Sequence, residues 1–392
     1  MPRSIQPDRW LFSSTLVLCL IGQVMVFSAS AVMAREQFGS AYAFIGKQFV
    51  FLLVGLAGMF WLMNVDYRRL RQPKVVFTSL CVIVLLLVCV FFLDKSHATH
   101  RWIRFGPVGI QPSEIAKLVV ILYLAWFLET RRSVRSPARP AAPGGAQRTT
   151  SRSAEPGKDS AASVNDLMHS LAPALGPVLL IVALVVMQPD LGTAFEIFVV
   201  SLAMLFVAGL SLKYVGYAGV AALPAIYLLI VRVPYRYHRI VAFLNPDADP
   251  QGTGFQMVQS LIAVGSGGLT GVGLMASRQK LFYLPEAHTD FIYAVLCEEL
   301  GFIGGAAVLA LFAIYGWRGM RAALGAPDDF GRLLAVGITA LVTSQALINL
   351  SVVLGLMPTK GIPLPFISYG GSSLLVMLLA TGVLLNISQH AD

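Results

Sequence analysis

The sequence predicts an all-α polytopic membrane protein. It reads as ten transmembrane helices, both termini cytoplasmic, and a large extracytoplasmic loop between spans seven and eight. Three observations lead there. Only 12% of the 392 residues are charged, against about 25% in an ordinary soluble domain. The chain is 56% hydrophobic, with a mean hydropathy of +0.73. Apolar runs near the length that crosses a hydrocarbon layer recur along the chain, and none alternates as a barrel strand would.

Taken in order, these runs fall at about 10–34, 43–65, 75–93, 114–129, 171–187, 194–211, 214–231, 291–315, 333–355 and 369–388. In lipid every backbone polar group must be paired within its own segment, so each run is expected to be helical. The polar start, Met1–Arg9, leads into the first run without a small-residue cleavage site, so that run reads as a retained span. Orientation follows from the short loops. Arg68, Arg69, Arg71 and Lys74 lie between spans two and three; Arg318, Arg321 and Arg332 lie between eight and nine. Both loops fall on one side of a ten-span chain, and basic loops mark the cytoplasm. The net charge of +9 is accounted for in this way and calls for no nucleic acid. Residues 131–165, rich in Pro, Ala, Gly, Ser and Arg, read as a disordered cytoplasmic linker inside a single 1–392 domain. Residues 232–290 form the large outer loop. Its glycine-broken stretch Phe255–Val272 is too short to span and suggests a re-entrant or interfacial helix followed by a tight turn. Cys19, Cys81, Cys89 and Cys297 all lie in apolar runs and read as small hydrophobes.

Chemistry is sought where ionisable groups meet the membrane, because such groups are costly there. Glu114 and Lys117 share a helix face at the start of span four, as a structural ion pair or as a substrate contact. Asp190 precedes span six and can cap it; Glu298, Glu299, Gln345 and Asn349 read as packing groups. Glu286, His288 and Asp290 sit where the outer loop runs into span eight. Asp290 has two readings: it or Thr289 caps that helix, or it is a general base whose pKa is raised by desolvation. Basic residues recur in three outer loops, among them Arg101, Arg239, Lys280 and Lys360, which suggests an anionic ligand at the outer face. Neither a nucleotide loop nor a metal-binding motif is present, so ATP-driven transport has no support.

Several segments together resemble one family, the shape, elongation, division and sporulation proteins typified by FtsW and RodA. They are Arg101-Trp102, Gln111-Pro112-Ser113-Glu114 with Lys117, Gln188-Pro189-Asp190-Leu191-Gly192-Thr193, Gln259-Ser260, Tyr283 to Phe291, Glu298-Glu299-Leu300-Gly301, and Pro363 to Ser373. The resemblance covers nearly the whole chain apart from the linker. Val24 to Ser30 and Pro358-Thr359-Lys360-Gly361 lean toward the division branch; Gln188 is more typical of the elongation branch, and Phe282 occupies a position often charged in division members.

The resemblance implies a peptidoglycan glycosyltransferase of the bacterial cytoplasmic (inner) membrane, acting at the division septum. Its substrates would be lipid II and the nascent glycan strand. Its partners would be a class B penicillin-binding protein (an FtsI-like transpeptidase) and other divisome proteins, with membrane lipids around it. The family's essential aspartate falls on Asp290, and its other important positions on Trp102, Glu114, Lys117 and Lys360. Asp290 would take the proton of the attacking sugar hydroxyl. Lys280, Arg101 and Lys360 would offset the charge of the departing undecaprenyl pyrophosphate. Glu286 and His288 stay as neighbours without an assigned step. No cofactor is demanded; a divalent cation could share the charge, although no ligand cluster requires one. The same reaction in cell elongation, or lipid II flipping, are the alternatives; ionisable groups concentrated at the outer edge favour the enzyme.

Overall fold

The computed structural model describes residues 6–94, 101–105, 108–135, 171–211, 234–245, 254–281 and 283–391, with scattered positions between 213 and 232. Its helices are α1 (Arg9–Phe38), α2 (Ala43–Asn64), α3 (Pro73–Leu93), α4 (Pro112–Arg135), α5 (Ala172–Met187), α6 (Leu191–Val207), α7 (Pro234–Leu244), α8 (Phe255–Ser266), α9 (Ile292–Leu324), α10 (Asp329–Val353) and α11 (Gly371–His390). A short antiparallel hairpin, β1 (Ile103–Phe105) with β2 (Val108–Ile110), precedes α4 and pairs Ile103 with Ile110. It is the one departure from helix-and-loop structure among the described residues.

Local chemistry sets the ends of these helices. The Asp8 carboxylate accepts from the Trp10 and Leu11 amides at the start of α1, and Gly39 closes that helix in the left-handed conformation. Pro73 opens α3, where its missing N–H costs nothing. Asp190 caps α6 and Asp328 caps α10. Nine of the ten expected spans coincide with helices among the described residues; the seventh, 214–231, falls largely outside them. Six helices are long and apolar enough to cross a membrane: α1, α2, α3, α9, α10 and α11.

Two boundaries differ from expectation. α4 continues through Arg135, so residues 131–135, expected in the linker, are helical; residues 136–165 lie outside the described part. α9 runs on to Leu324, so Arg318 and Arg321 sit on a helix and not in a loop. In both cases the helix outruns its apolar stretch, since the helical hydrogen-bond ladder does not stop where hydrophobicity stops.

α10 and α11 form the centre, with 78% and 72% of their apolar windows buried; α2 and α3, at 22% each, face outward. Outward residues such as Leu53, Val54, Leu85 and Phe92 are apolar, as lipid contact demands. α2 lies along α11, α10 packs on α9, α6 and α4, and α1 lies on α9. Arg318 pairs with Asp8 near Ser388, so both ends of the described chain lie at one end of the bundle, opposite Asp290.

α9 breaks at Gly301 (φ 67°). The break frees backbone groups, and the turn after α8 supplies their partners. Val272 and Gly273 amides donate to the Glu298 and Glu299 carbonyls (3.0 Å each), while Phe302 and Ile303 amides donate to Gly268 and Leu269 (2.8 and 3.2 Å). A Cβ on Gly301 or on Gly271 (φ 82°) would collide with the facing backbone. Glycine is required on both sides of this contact. It anchors the segment that ends at Asp290 to α9.

Candidate active site

Asp290 directly precedes α9, but it does not cap that helix. Phe291 holds the cap position, and no side chain bonds the free amides there. The capping reading therefore fails, and the carboxylate is left for another use. The backbone around it is clamped. Asn349 on α10 donates both amide hydrogens, one to the Asp290 carbonyl and one to that of Ile362 (2.8 Å each). Ser368 donates to the Thr289 carbonyl (2.6 Å), and the Tyr369 amide to that of His288 (3.0 Å). The segment 288–290 is thus stitched to the segment 362–369, which carries the Pro363-Leu364-Pro365 turn.

This stitching sets the carboxylate beside Gly361: a Cβ there would stand 3.2 Å from Asp290 Oδ2. Asp290 is half-buried, and desolvation pushes its pKa up to about 7. Glu286 and Asp190 push the same way, while Arg239 and Arg101 pull it down. A group so poised can take and release a proton near neutral pH.

The cations come from different elements. Lys360 is half-buried with Nζ 4.1 Å from the centre of the Phe195 ring, and burial lowers its pKa. Arg239 on α7 donates to the Thr359 carbonyl (3.1 Å), next to Lys360. Arg101 donates to the carbonyls of Gln188 (3.1 Å) and Pro189, which fastens the strand hairpin to the α5–α6 turn. Trp102 packs against Gly109, and its amide donates to Asp94 (3.2 Å). Asp190 accepts from Gln111, Ser113 and Thr193 as well as capping α6. The sequence marked it as a cap only; its contribution to the field at Asp290 depends on the fold.

Glu114 and Lys117 lie deeper. Lys117 is buried and bonded to Glu114 (3.0 Å), Glu196 (3.1 Å) and Gln345 (2.8 Å). Gln345 in turn donates to the Pro363 carbonyl (2.8 Å). The pair is thus part of a buried ionic brace beneath the turn and not an open contact surface.

Lys280 is not brought to Asp290. Its Nζ is buried against Glu299 (2.8 Å) and Ser28 (3.0 Å), and Ser28 also donates to Glu299. Glu299 lies more than two helical turns along α9 from Asp290, and its charge claims Lys280 entirely. His288 is buried between Phe44 (ring centres 5.0 Å) and Tyr369 (5.6 Å), which lowers its pKa and keeps the ring neutral. Glu286 is exposed, at φ 55°, and accepts from the Thr289 hydroxyl (2.8 Å).

Sequence reasoning placed Arg239 among the outer basic residues without giving it a role. Its position in a basic, aromatic helix, Tyr235-Arg236-Tyr237-His238-Arg239, was the available signal. Among the described residues no group of three His, Cys, Asp or Glu side chains could hold a metal ion.

The family profile described as "Cell cycle protein", that of FtsW, RodA and SpoVE, matches residues 9–392. Stage V sporulation protein E of Bacillus subtilis is 42% identical over 390 residues, covering 99% of each chain. A protein of Geobacter metallireducens named "Probable peptidoglycan glycosyltransferase FtsW" is 41% identical over 384 residues, covering 98% of this chain and 95% of that protein. Among solved structures, a chain of a peptidoglycan synthase complex that coordinates polymerisation and crosslinking superposes with a TM-score of 0.73 at 29% identity, covering 98% of this chain and 99% of that one. The rod shape determining protein RodA of Thermus thermophilus superposes with a TM-score of 0.67 at 27% identity, covering 100% of both. The chain is a multi-pass helical membrane protein and belongs to the FtsW, RodA and SpoVE family, the shape, elongation, division and sporulation proteins.

Proposed function

We propose that the protein is a peptidoglycan glycosyltransferase that polymerises lipid II at the outer face of the cytoplasmic membrane. The observation that carries the reading is the non-capping, half-buried Asp290, with a pKa near 7 and the charges of Arg239 and Arg101 acting on it. Asp290 accepts the proton of the 4-hydroxyl on the GlcNAc of the incoming lipid II. That oxygen attacks C1 of the MurNAc at the reducing end of the strand. The bond from C1 to the pyrophosphate oxygen breaks, and undecaprenyl pyrophosphate leaves with the electron pair. Direct displacement inverts the α linkage to β. Arg239, Lys360 and Arg101 supply positive charge where the departing pyrophosphate gains negative charge. A base whose pKa lies near 7 suits this step, since the carboxylate of a stronger acid is a poorer proton acceptor.

The end of the bundle that holds Arg68, Asp8 and both chain ends is assigned to the cytoplasm, from the basic loops. Relatives named FtsW and Stage V sporulation protein E support septal synthesis in division or sporulation over elongation. The similar chain in a peptidoglycan synthase complex supports a class B penicillin-binding protein as partner. Lipid II flipping would need ionisable groups free to exchange partners across the bundle. In the deep cluster Lys117 is paired with both Glu114 and Glu196, which weighs against it.

The deciding experiment is polymerisation of lipid II by the purified protein with its transpeptidase partner, wild type beside Asp290→Ala and Asp290→Asn. Loss of glycan strands in both folded variants is expected. Full synthesis by either would remove Asp290 as the base.

A further inference from the structure

At the end of the bundle opposite Asp290 a groove of about 350 Å³ opens between α3 and α4. Phe77, Tyr123, Trp126, Phe127, Thr130 and Arg131 line it. Its floor is fixed: Tyr123 is buried and donates to the Pro173 carbonyl (2.7 Å). Its walls are aromatic, with Phe77 edge-on to Trp126 at 5.1 Å. Its rim is basic. Arg131 is exposed and stacks over Phe127 (5.4 Å), and Lys74, three residues before Phe77 on the same face of α3, is also exposed. The nearest acid, Glu129, is taken by Arg71 (2.9 Å) and does not oppose an anion at the rim.

We propose that this groove binds one anionic diacyl glycerophospholipid of the leaflet opposite Asp290. An acyl chain lies against Phe77, Trp126 and Phe127, and the phosphate sits between Lys74 and Arg131. The amphipathic build is what such a ligand needs: an apolar body at membrane depth and cations at headgroup depth, with aromatic rings at the boundary. Arg131 is held in place by its stack, so little side-chain freedom is lost on binding. The segment 136–165 is a poor occupant. It has no aromatic residue, Leu, Ile or Met, and its Arg139, Arg148, Arg152 and Lys158 outnumber Glu155 and Asp159, so the basic rim repels it.

The test uses the full chain in nanodiscs of zwitterionic lipid doped with brominated phosphatidylglycerol or brominated phosphatidylcholine. Quenching of Trp126 is read as the difference between wild type and Trp126→Phe. Preferential quenching by the anionic probe is expected, at about fivefold per cation. Lys74→Ala with Arg131→Ala should abolish the preference at unchanged helical content and unchanged glycan synthesis. Arg131→Lys, which keeps the charge, should retain most of it. Equal quenching by the two probes, or a preference that survives the double variant, would overturn the proposal. So would absence of Trp126 quenching, because protein would then cover the groove. Displacement of the probe by undecaprenyl phosphate at lower concentration than by phosphatidylglycerol would reassign the site to the polyprenyl carrier and equally overturn it.

Discussion

Replacing Asp290 with Asn should separate activity from stability in opposite directions. The carboxyl titrates near 7 in the fold and near 3.8 when unperturbed. A gap of about three units corresponds to on the order of 4 kcal/mol of strain on the ionised form. That figure is an upper bound, because partial exposure lets solvent screen the charge. The sign is fixed by linkage: a carboxyl whose folded pKa is raised destabilises the fold once it ionises. The penalty is absent below pH 3.8, grows as pH rises, and is complete above about 7. Asp290→Asn keeps the shape and removes the charge. Its melting temperature should exceed that of wild type at pH 8, and the gap should shrink toward pH 4. Its polymerisation should be lost at every pH. In wild type the rate should follow the ionised fraction, about one-tenth at pH 6, half at pH 7 and nine-tenths at pH 8. Glu286→Gln removes a negative neighbour, so the half-maximal pH should move down. The assays are lipid II polymerisation and thermal unfolding across pH 5–8.5. A flat rate profile between pH 6 and 8, or an Asn variant less stable than wild type at pH 8, would refute the reasoning.

Three further outcomes are expected. Asn349→Ala removes two hydrogen bonds that hold the Asp290 and Ile362 carbonyls, each worth about 1 kcal/mol. Turnover should fall about tenfold with little change in apparent KM, and an unchanged turnover would show that the clamp is dispensable. Lys280→Ala strands Glu299 in a buried site and should cost about 3–5 kcal/mol in thermal unfolding. Lys280→Met with Glu299→Leu should recover most of that loss; if the single variant were as stable as wild type, the buried pair would carry no weight. Gly301→Ala meets the Gly271 backbone at a positive φ, so the folded yield should drop sharply, and normal expression and melting would contradict the close approach.

Much of the scaffold was legible in the chain because the membrane simplifies the problem. Lipid forbids unpaired backbone, so a run such as Pro73–Leu93 has one outcome, a helix, and its length sets its role. Asp190 as the cap of α6, and Glu114 beside Lys117, follow from spacing of three residues on one helix. Helix ends beyond the apolar run, as in α4 and α9, were not visible, because hydropathy does not report where a hydrogen-bond ladder stops.

The site divides along the same line. The sequence by itself determined that Asp290 stands where a polar loop meets an apolar run, and that basic residues recur on the same side. Whether Asp290 caps a helix or keeps its carboxylate free of that helix depends on the backbone at Phe291. Whether Lys280 reaches it depends on Glu299, which buries and neutralises that cation first. Arg239 and Asn349 reach Asp290 only because α7 and α10 converge there from 51 and 59 residues away along the chain. Electrostatic fields and desolvation act through space, and only tertiary packing sets distances across such separations.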